Sequence, residues 1–206
     1  MKWKTIALTG LFALLSFFAC TNNTASNEPA ARQEAPLELT AEEREAFLEK
    51  GSYITATTFS ALSGKLRSAL QEEGVPGAVA YCNLVAYPLV DSLSQVHQAT
   101  IRRTSLKIRN PKDKPTATEL AVLETYHANA EKGASLLPGV VAIDQSTVAY
   151  YAPILTQELC LQCHGKIGET LKAEDYTLVK ELYPEDEAIG YQSGDLRGMW
   201  SVTFRR

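Results

Sequence analysis

The chain has 206 residues, of which 45% are hydrophobic and 21% charged, a composition that predicts an ordinary globular protein with one domain and appendages. A domain of this size buries a core without disulfide staples. The 24 acidic and 20 basic residues give a net charge of −4, and this mildly acidic balance argues against nucleic acid as a partner.

The N-terminal segment has the pattern of an export signal. Lys2 and Lys4 form a basic stretch, and residues 6–18 form an apolar run that is too short to span a bilayer comfortably. The run leads to a small residue followed by Cys20, which predicts a lipoprotein signal peptide over residues 1–19 and a lipid on Cys20. Plain secretion and an uncleaved anchor are the alternatives. We therefore expect a lipid-anchored protein on the periplasmic side of a bacterial membrane.

Residues 20–38 separate this leader from the folded part of the chain. They are rich in Asn, Ala, Ser and Glu, which is the composition of a flexible tether. Residues 39–206 are predicted to form the domain itself, because periodic apolar patterns begin there.

The domain opens with two predicted helices. The first, residues 40–73, begins with a capping box and keeps apolar residues at helical spacing. The segment 74–77, which contains two glycines and a proline, is predicted to end it. The second helix, residues 78–94, carries Cys82 on its apolar face. A proline inside this second helix predicts a kink or a restart.

Strands dominate the rest of the domain. Alternating and β-branched patterns predict strands at residues 100–107, 140–143, 147–155 and 199–204. A second capping box opens a predicted helix at residues 116–132, and another helix is predicted at 169–182. The inner face of the helix at 116–132 is predicted to carry Leu120, Leu123, His127 and Ala130. This order of elements predicts an α+β fold.

Cys160, Cys163 and His164 form a CxxCH motif, which is the attachment site of a c-type haem. The two cysteines lie one helical turn apart and reach both vinyl groups of one porphyrin, and the histidine then binds the iron. A zinc site is the first alternative, but it lacks an obvious fourth ligand nearby. A thioredoxin-type redox motif is the second, but the βαβ pattern that precedes such motifs is not found in this sequence. We therefore predict one covalent haem c.

The cysteine count singles out one further residue. Of four cysteines, Cys20 is assigned to lipid and two belong to the motif, which leaves Cys82 without a role. Cys82 is a candidate for the sixth iron ligand, and a small buried hydrophobe is the alternative. Met199, His127 and His97 are further candidates, and a vacant or water-filled position is another. Met199 is typical of a core residue, His97 of a solvated turn, and His127 of a structural or surface histidine.

Basic residues near these motifs are candidates for binding the haem propionates. Guanidinium groups pair well with carboxylates. A solvated face or a structural ion pair is the alternative interpretation. The candidates are Arg103, Lys107, Arg109 and Arg197.

Five segments of the chain resemble the single-haem, PAS-like cytochrome c domain family, which is seen in cyanobacterial exported cytochromes and as the sensor part of some bacterial histidine kinases. They are residues 80–82, 103–111, 160–165, 183–186 and 190–198. The resemblance covers about residues 40–206. It implies a PAS-like antiparallel sheet with flanking helices and a long N-terminal helix. In that family a cysteine outside the motif holds the iron together with the CxxCH histidine, which implies Cys82 and His164 as the two ligands here.

These observations predict a haem-binding module rather than an enzyme. The main hypothesis is a redox or diatomic-gas sensor, and a low-potential periplasmic electron-transfer cytochrome is the alternative. Both imply a separate redox or signalling protein as partner, besides the haem and the membrane. A peroxidase-like enzyme needs an open distal site with an acid–base residue, for which His127 is the only ready candidate in the sequence.

Overall fold

The computed structural model describes residues 38–206. The predicted signal peptide at 1–19, Cys20 and nearly all of the predicted tether at 20–38 lie outside the described residues. Within residues 38–206, no helix combines the length and the apolar character needed to cross a membrane.

The described part of the chain forms five α-helices and four β-strands. The helices are α1 (Ala41–Leu84), α2 (Ala86–His97), α3 (Ala117–Glu131), α4 (Leu161–His164) and α5 (Ala173–Leu182). The strands are β1 (Thr100–Thr104), β2 (Gly139–Ala142), β3 (Thr147–Leu155) and β4 (Leu196–Arg205). The predicted α+β class is confirmed. Strand β1 ends earlier and β4 begins earlier than the sequence pattern predicted.

The strands form one antiparallel sheet in the order β1-β4-β3-β2. The last strand of the chain therefore lies in the interior of the sheet, between β1 and β3. Thr104 pairs with Met199 at the end of β1, and Leu155 pairs with Leu196 at the end of β3 after a register shift. One end of the sheet thus brings together the ends of β1 and β3 and the start of β4.

Helix α1 begins as predicted and continues further than predicted. Its first turn is stabilised by a capping box in which the Thr40 hydroxyl accepts from the Glu43 N–H and the Glu43 carboxylate accepts from the Thr40 N–H. Gly74, with φ 69° and ψ −160°, interrupts the helical backbone in a conformation that glycine adopts without a Cβ penalty. The predicted end of the helix is therefore a kink, because the chain resumes helical geometry directly after it.

The predicted single helix over residues 78–94 is wrong in its bounds. Cys82 lies in the short second part of α1, which ends at Leu84, and α2 starts separately at Ala86. Pro88 lies in the first turn of α2, where a backbone N–H has no partner within the helix to lose. The proline therefore marks a restart of the helix.

Hydrophobic residues pack on both faces of the sheet. Side chains of β3 point alternately to the two faces, so Val148 and Tyr150 join one core cluster while Ala149 and Tyr151 join the other. The first cluster packs α1 and α2 on the sheet through Ile54, Leu62, Val90, Ile101, Trp200, Val202 and Phe204. The second packs α3 through Leu123 and Tyr126 on Leu196 and Met199.

The buried face of α3 is rotated from the predicted one. Leu120, predicted to lie inside, is 37% exposed, whereas Glu119, Leu123 and Tyr126 are buried. The Tyr126 hydroxyl donates to the carbonyls of Leu137 and Tyr151, at 2.9 and 3.3 Å. Burying this ring with its hydroxyl satisfied outweighs burying Leu120.

Gly51 of α1 gives a sharp test of this packing. A Cβ atom at this position would lie 2.2 Å from Cγ of Tyr150, whose ring is buried. We expect Gly51→Ala to destabilise the protein by about 1–3 kcal/mol, measured by urea unfolding. Gly64 in the same helix has nothing within 4 Å of a built Cβ. Gly64→Ala should instead stabilise by up to about 1 kcal/mol, from helix propensity alone. Equal effects of the two substitutions would contradict the described contact.

Candidate haem site

The CxxCH motif follows the end of β3 directly. Thr156 fixes the connection, because its N–H donates to the Asp195 carbonyl and its own carbonyl accepts from the Gly194 N–H, each at 2.9 Å. A single turn of 3₁₀ helix, Glu158–Cys160, then leads into α4. The motif therefore leaves the end of the sheet at which β1, β3 and β4 meet.

A cavity of about 230 Å³ lies at this end of the sheet. Cys160, Cys163 and His164 line it together with Cys82. Leu66, Leu70, Val79, Ile154, Leu155 and Leu159 supply apolar lining. A mostly apolar cavity with a few convergent polar groups is the usual form of a cofactor site.

Cys82 reaches this cavity from the second part of α1. Val79, one turn earlier, packs with Val179 and Tyr183, and Cys163 contacts the same cluster. Burial raises the pKa of the Cys82 thiol, while the nearby Arg103 and Arg109 act in the opposite direction. Burial likewise raises the pKa of Cys163 to about 11. The fold therefore brings Cys82 and the motif into one enclosure, although they are far apart in the sequence.

His164 has the features of a metal-binding imidazole. Its Nδ1 lies 2.7 Å from the Ala188 carbonyl oxygen, and because a carbonyl only accepts, Nδ1 carries the proton. The ring packs edge-on against Tyr191 with centroids 6.4 Å apart. Burial, with Arg197 and Arg109 nearby, lowers the pKa of His164 well below its usual value. The imidazole is therefore neutral, with the lone pair of Nε2 free to bind a metal.

Three of the four predicted propionate-binding residues line the cavity. Two of them, Arg103 and Arg197, have guanidinium nitrogens that are not all hydrogen-bonded to the protein. Arg103 lies over the rings of Tyr87 and Trp200, 6.0 Å from each centroid. Arg197 donates from Nη1 to the Lys107 carbonyl at 3.0 Å. Its Nε is buried without a hydrogen-bond partner. A buried N–H without an acceptor is costly, so Arg197 fits a site that receives an anionic group from a ligand.

The other two predicted residues are engaged by the protein. Arg109 also lines the cavity, but it forms a two-point ion pair with Asp186. Lys107 is exposed, donates to the Ile189 carbonyl and lies over the Tyr191 ring, 4.7 Å from its centroid. Lys107 is not among the described residues that line the cavity. Propionate binding stays a prediction for all four.

The remaining predicted ligands lie elsewhere. Met199 is fully buried in the core cluster beneath α3. His97 ends α2 and packs edge-on against Tyr53, with ring centroids 6.0 Å apart. His127 lies on α3. None of the three lines the cavity in the part of the chain that the structure describes.

Tyr87 and Asp113 line the cavity but were not predicted as site residues from the sequence. The Tyr87 hydroxyl donates to Asp113 Oδ1 at 2.8 Å, and both residues line the cavity. Burial raises the pKa of Asp113. No sequence pattern links these residues, because Tyr87 belongs to α2 and Asp113 to the 3₁₀ turn after β1. Residues 183–186 and Tyr191 lie in segments that carry the family resemblance, but the sequence predicts no individual role for them.

The residues of the cavity fit a haem. His164 and Cys82 offer a nitrogen and a sulfur ligand, two cysteines stand at thioether spacing, and Arg197 offers an unsatisfied donor. Within residues 38–206, no group of three or more His, Cys, Asp and Glu side chains is placed to hold a metal ion on its own.

An α+β domain in which a CxxCH motif and a distant cysteine line one cavity at the end of an antiparallel sheet defines the class of single-haem, cytochrome-like domains with a PAS-like fold. The chain belongs to the Tll0287-like family, whose model matches residues 28–205. Its structure is similar to the crystal structure of the cyanobacterial heme-protein Tll0287. The two are 26% identical, with a TM-score of 0.55, over 82% of this chain and 98% of that chain. A search of curated protein sequences found no significant match. The predicted family and the PAS-like fold are confirmed.

Proposed function

We propose that this protein holds one haem covalently through Cys160 and Cys163, with His164 and Cys82 as the axial ligands. The observation that carries the proposal is the shared cavity, to which separate elements deliver a CxxCH motif and a free cysteine. The similar solved structure is described as that of a heme-protein, which supports the same cofactor here.

The bound haem would supply an iron that cycles between two oxidation states. Cys82 as a thiolate would donate electron density and favour the ferric state. Burial opposes the charged form of Cys82, while the nearby Arg103 and Arg109 favour it. We expect reduction of the iron to weaken its attraction for the thiolate and to release Cys82.

We further propose that the protein is a redox- or diatomic-gas-sensing module. The segment with Cys82 is bounded by two breaks in helical geometry, the kink at Gly74 and the end of α1 before α2. It packs on α5 and the residue after it through Val75, Val79, Val179 and Tyr183. Release of Cys82 would free this short segment to move and would pass the movement to α5, so a change at the cavity becomes a change at the surface.

Reduction under carbon monoxide separates this function from electron transfer. We expect the reduced protein to lose the sulfur ligand and bind carbon monoxide, seen as a shift of the main haem absorption band. An electron-transfer cytochrome would keep both ligands in both oxidation states and exchange electrons rapidly. Unchanged absorption with carbon monoxide would therefore contradict the sensing role and favour the alternative.

Lipid anchoring through Cys20 belongs to the same proposal and depends on the leader sequence alone. The N-terminal peptide of the parent should carry a covalent lipid that a Cys20→Ser variant lacks, measured by mass spectrometry of the protein from expressing cells. A parent N-terminal peptide without lipid would contradict the anchor.

A further inference from the structure

A buried ion pair between Arg109 and Asp186 lies beside the haem motif. Arg109 Nε lies 3.0 Å from Asp186 Oδ1, and Arg109 Nη2 lies 3.1 Å from Asp186 Oδ2. The Arg109 side chain is 10% exposed and that of Asp186 is 0% exposed. A buried ion pair contributes little net stability, because the loss of hydration offsets the attraction between the charges. Stabilisation of the fold alone therefore does not explain this ion pair.

The pair also binds the backbone on both sides of the motif. Arg109 Nη2 donates to the Cys163 carbonyl at 2.7 Å and to the Ala188 carbonyl at 3.3 Å. Asp186 Oδ1 accepts from the Ala188 N–H at 3.0 Å. Both polar backbone groups of Ala188 are thus held by the pair.

Ala188 is the residue to which the imidazole of His164 is bound. The Ala188 carbonyl accepts from Nδ1 of His164 at 2.7 Å. Two backbone bonds tie the same segment to the motif, because the Gly190 N–H donates to the Gly165 carbonyl at 2.9 Å and the Tyr191 N–H donates to the His164 carbonyl at 3.0 Å. A continuous chain of hydrogen bonds therefore runs from Asp186 and Arg109 through Ala188 to His164.

We infer that Arg109 and Asp186 are positioning residues that fix the orientation and tautomer of His164 for axial ligation. The inference rests on the proposed function, since it assigns these residues to the same haem site. Metal-binding histidines usually donate their second ring N–H to a carbonyl or carboxylate, and such partners hold the ligating nitrogen in place. Here the ion pair fixes the carbonyl rather than the imidazole itself. Arg109 thus acts on the haem iron through the protein backbone and His164.

Two variants test the inference against a purely structural role. Arg109→Lys keeps the positive charge beside Asp186 but loses the planar fork that binds several acceptors at once. The double variant Arg109→Met/Asp186→Leu removes both charges, so that neither is left buried and unpaired. The matched control is Arg206→Lys, in the other two-point pair of the described residues, where Arg206 binds Glu43 at 2.8 and 2.7 Å, away from the cavity.

Each variant is compared with the parent in three measurements. Denaturing mass spectrometry gives the covalent haem, a thermal scan gives the midpoint of unfolding, and the ferric spectrum gives the ratio of low-spin to high-spin iron. We expect all variants to carry haem and the two cavity variants to lower this ratio 10-fold or more, with no change in Arg206→Lys. A folded, haem-loaded cavity variant with the spectrum of the parent would overturn the inference. So would a change in Arg206→Lys of the same size.

A measurement on the parent protein decides the question if neither cavity variant folds. With ¹⁵N-labelled histidine, the Nδ1–H of His164 in the reduced protein under carbon monoxide should exchange with solvent at least 10-fold more slowly than the ring N–H groups of His97 and His127. Equal exchange rates would overturn the inference. A parent protein without covalent haem would instead contradict the proposed function, and the same exchange measurement on the haem-free chain would still test the hydrogen-bond chain.

Discussion

Replacing Cys82 by alanine should change the ferric optical and electron-paramagnetic spectra and leave the haem covalently attached. Cys82 lines the same cavity as the motif and lies outside the CxxCH sequence. Loss of a thiolate ligand removes electron density that stabilises ferric iron. The reduction potential should therefore rise by about 100 mV or more, within the range of about 0.8 V over which axial ligands tune haem.

Val79→Ala is the matched control for this substitution. Val79 lies one turn before Cys82 on the same helix and lines the same cavity, but its side chain has no atom that binds a metal. It should leave the ferric spectrum unchanged. Parent-like spectra in Cys82→Ala, or equal spectral changes in the two variants, would contradict sulfur ligation.

The double substitution Cys160→Ala/Cys163→Ala should abolish covalent attachment of the haem completely. These are the two cysteines of the motif, and α4 with the turn before it places them on one wall of the cavity. Denaturing mass spectrometry should show the mass of the polypeptide alone, whereas Cys82→Ala should keep the mass of one haem. Either single substitution leaves one cysteine able to form a thioether. Covalent haem in the double variant would contradict the assignment.

The haem motif was predictable from the sequence, because its residues form a local pattern. The CxxCH spacing predicts its own geometry within one helical turn, and the cysteine count left Cys82 as the thiol without a role. The long first helix and the strand at Thr147–Leu155 also followed from periodicity. The family resemblance added the pairing of Cys82 with His164, which residue patterns alone had left open among several ligands.

Features that depend on tertiary packing were not predictable. The buried face of α3 keeps Leu123 and Ala130 as predicted but is rotated toward Tyr126, because the buried hydroxyl of Tyr126 binds two carbonyls outside its own helix. The Gly74 segment was predicted to end α1, yet the chain resumes as a helix, because the Val75 and Val79 side chains find partners on α5. Periodicity within one segment contains no information on such partners.

The roles of the basic residues in the site also depend on tertiary packing and could not be predicted from the sequence. Arg103, Lys107, Arg109 and Arg197 looked equivalent in the sequence, since each is a basic residue near a motif. The fold distinguishes them, because Arg109 meets a buried carboxylate and Arg197 retains a buried donor without a partner. Asp186 lies 77 positions from Arg109, and pairing over that distance cannot be deduced from spacing.

The electron-paramagnetic spectrum of the ferric parent protein tests whether His164 and Cys82 hold one haem in this cavity. We predict a single low-spin signal with the narrow anisotropy of a nitrogen–thiolate pair, from one haem per chain. A high-spin signal, or a low-spin signal identical to that of Cys82→Ala, would contradict it.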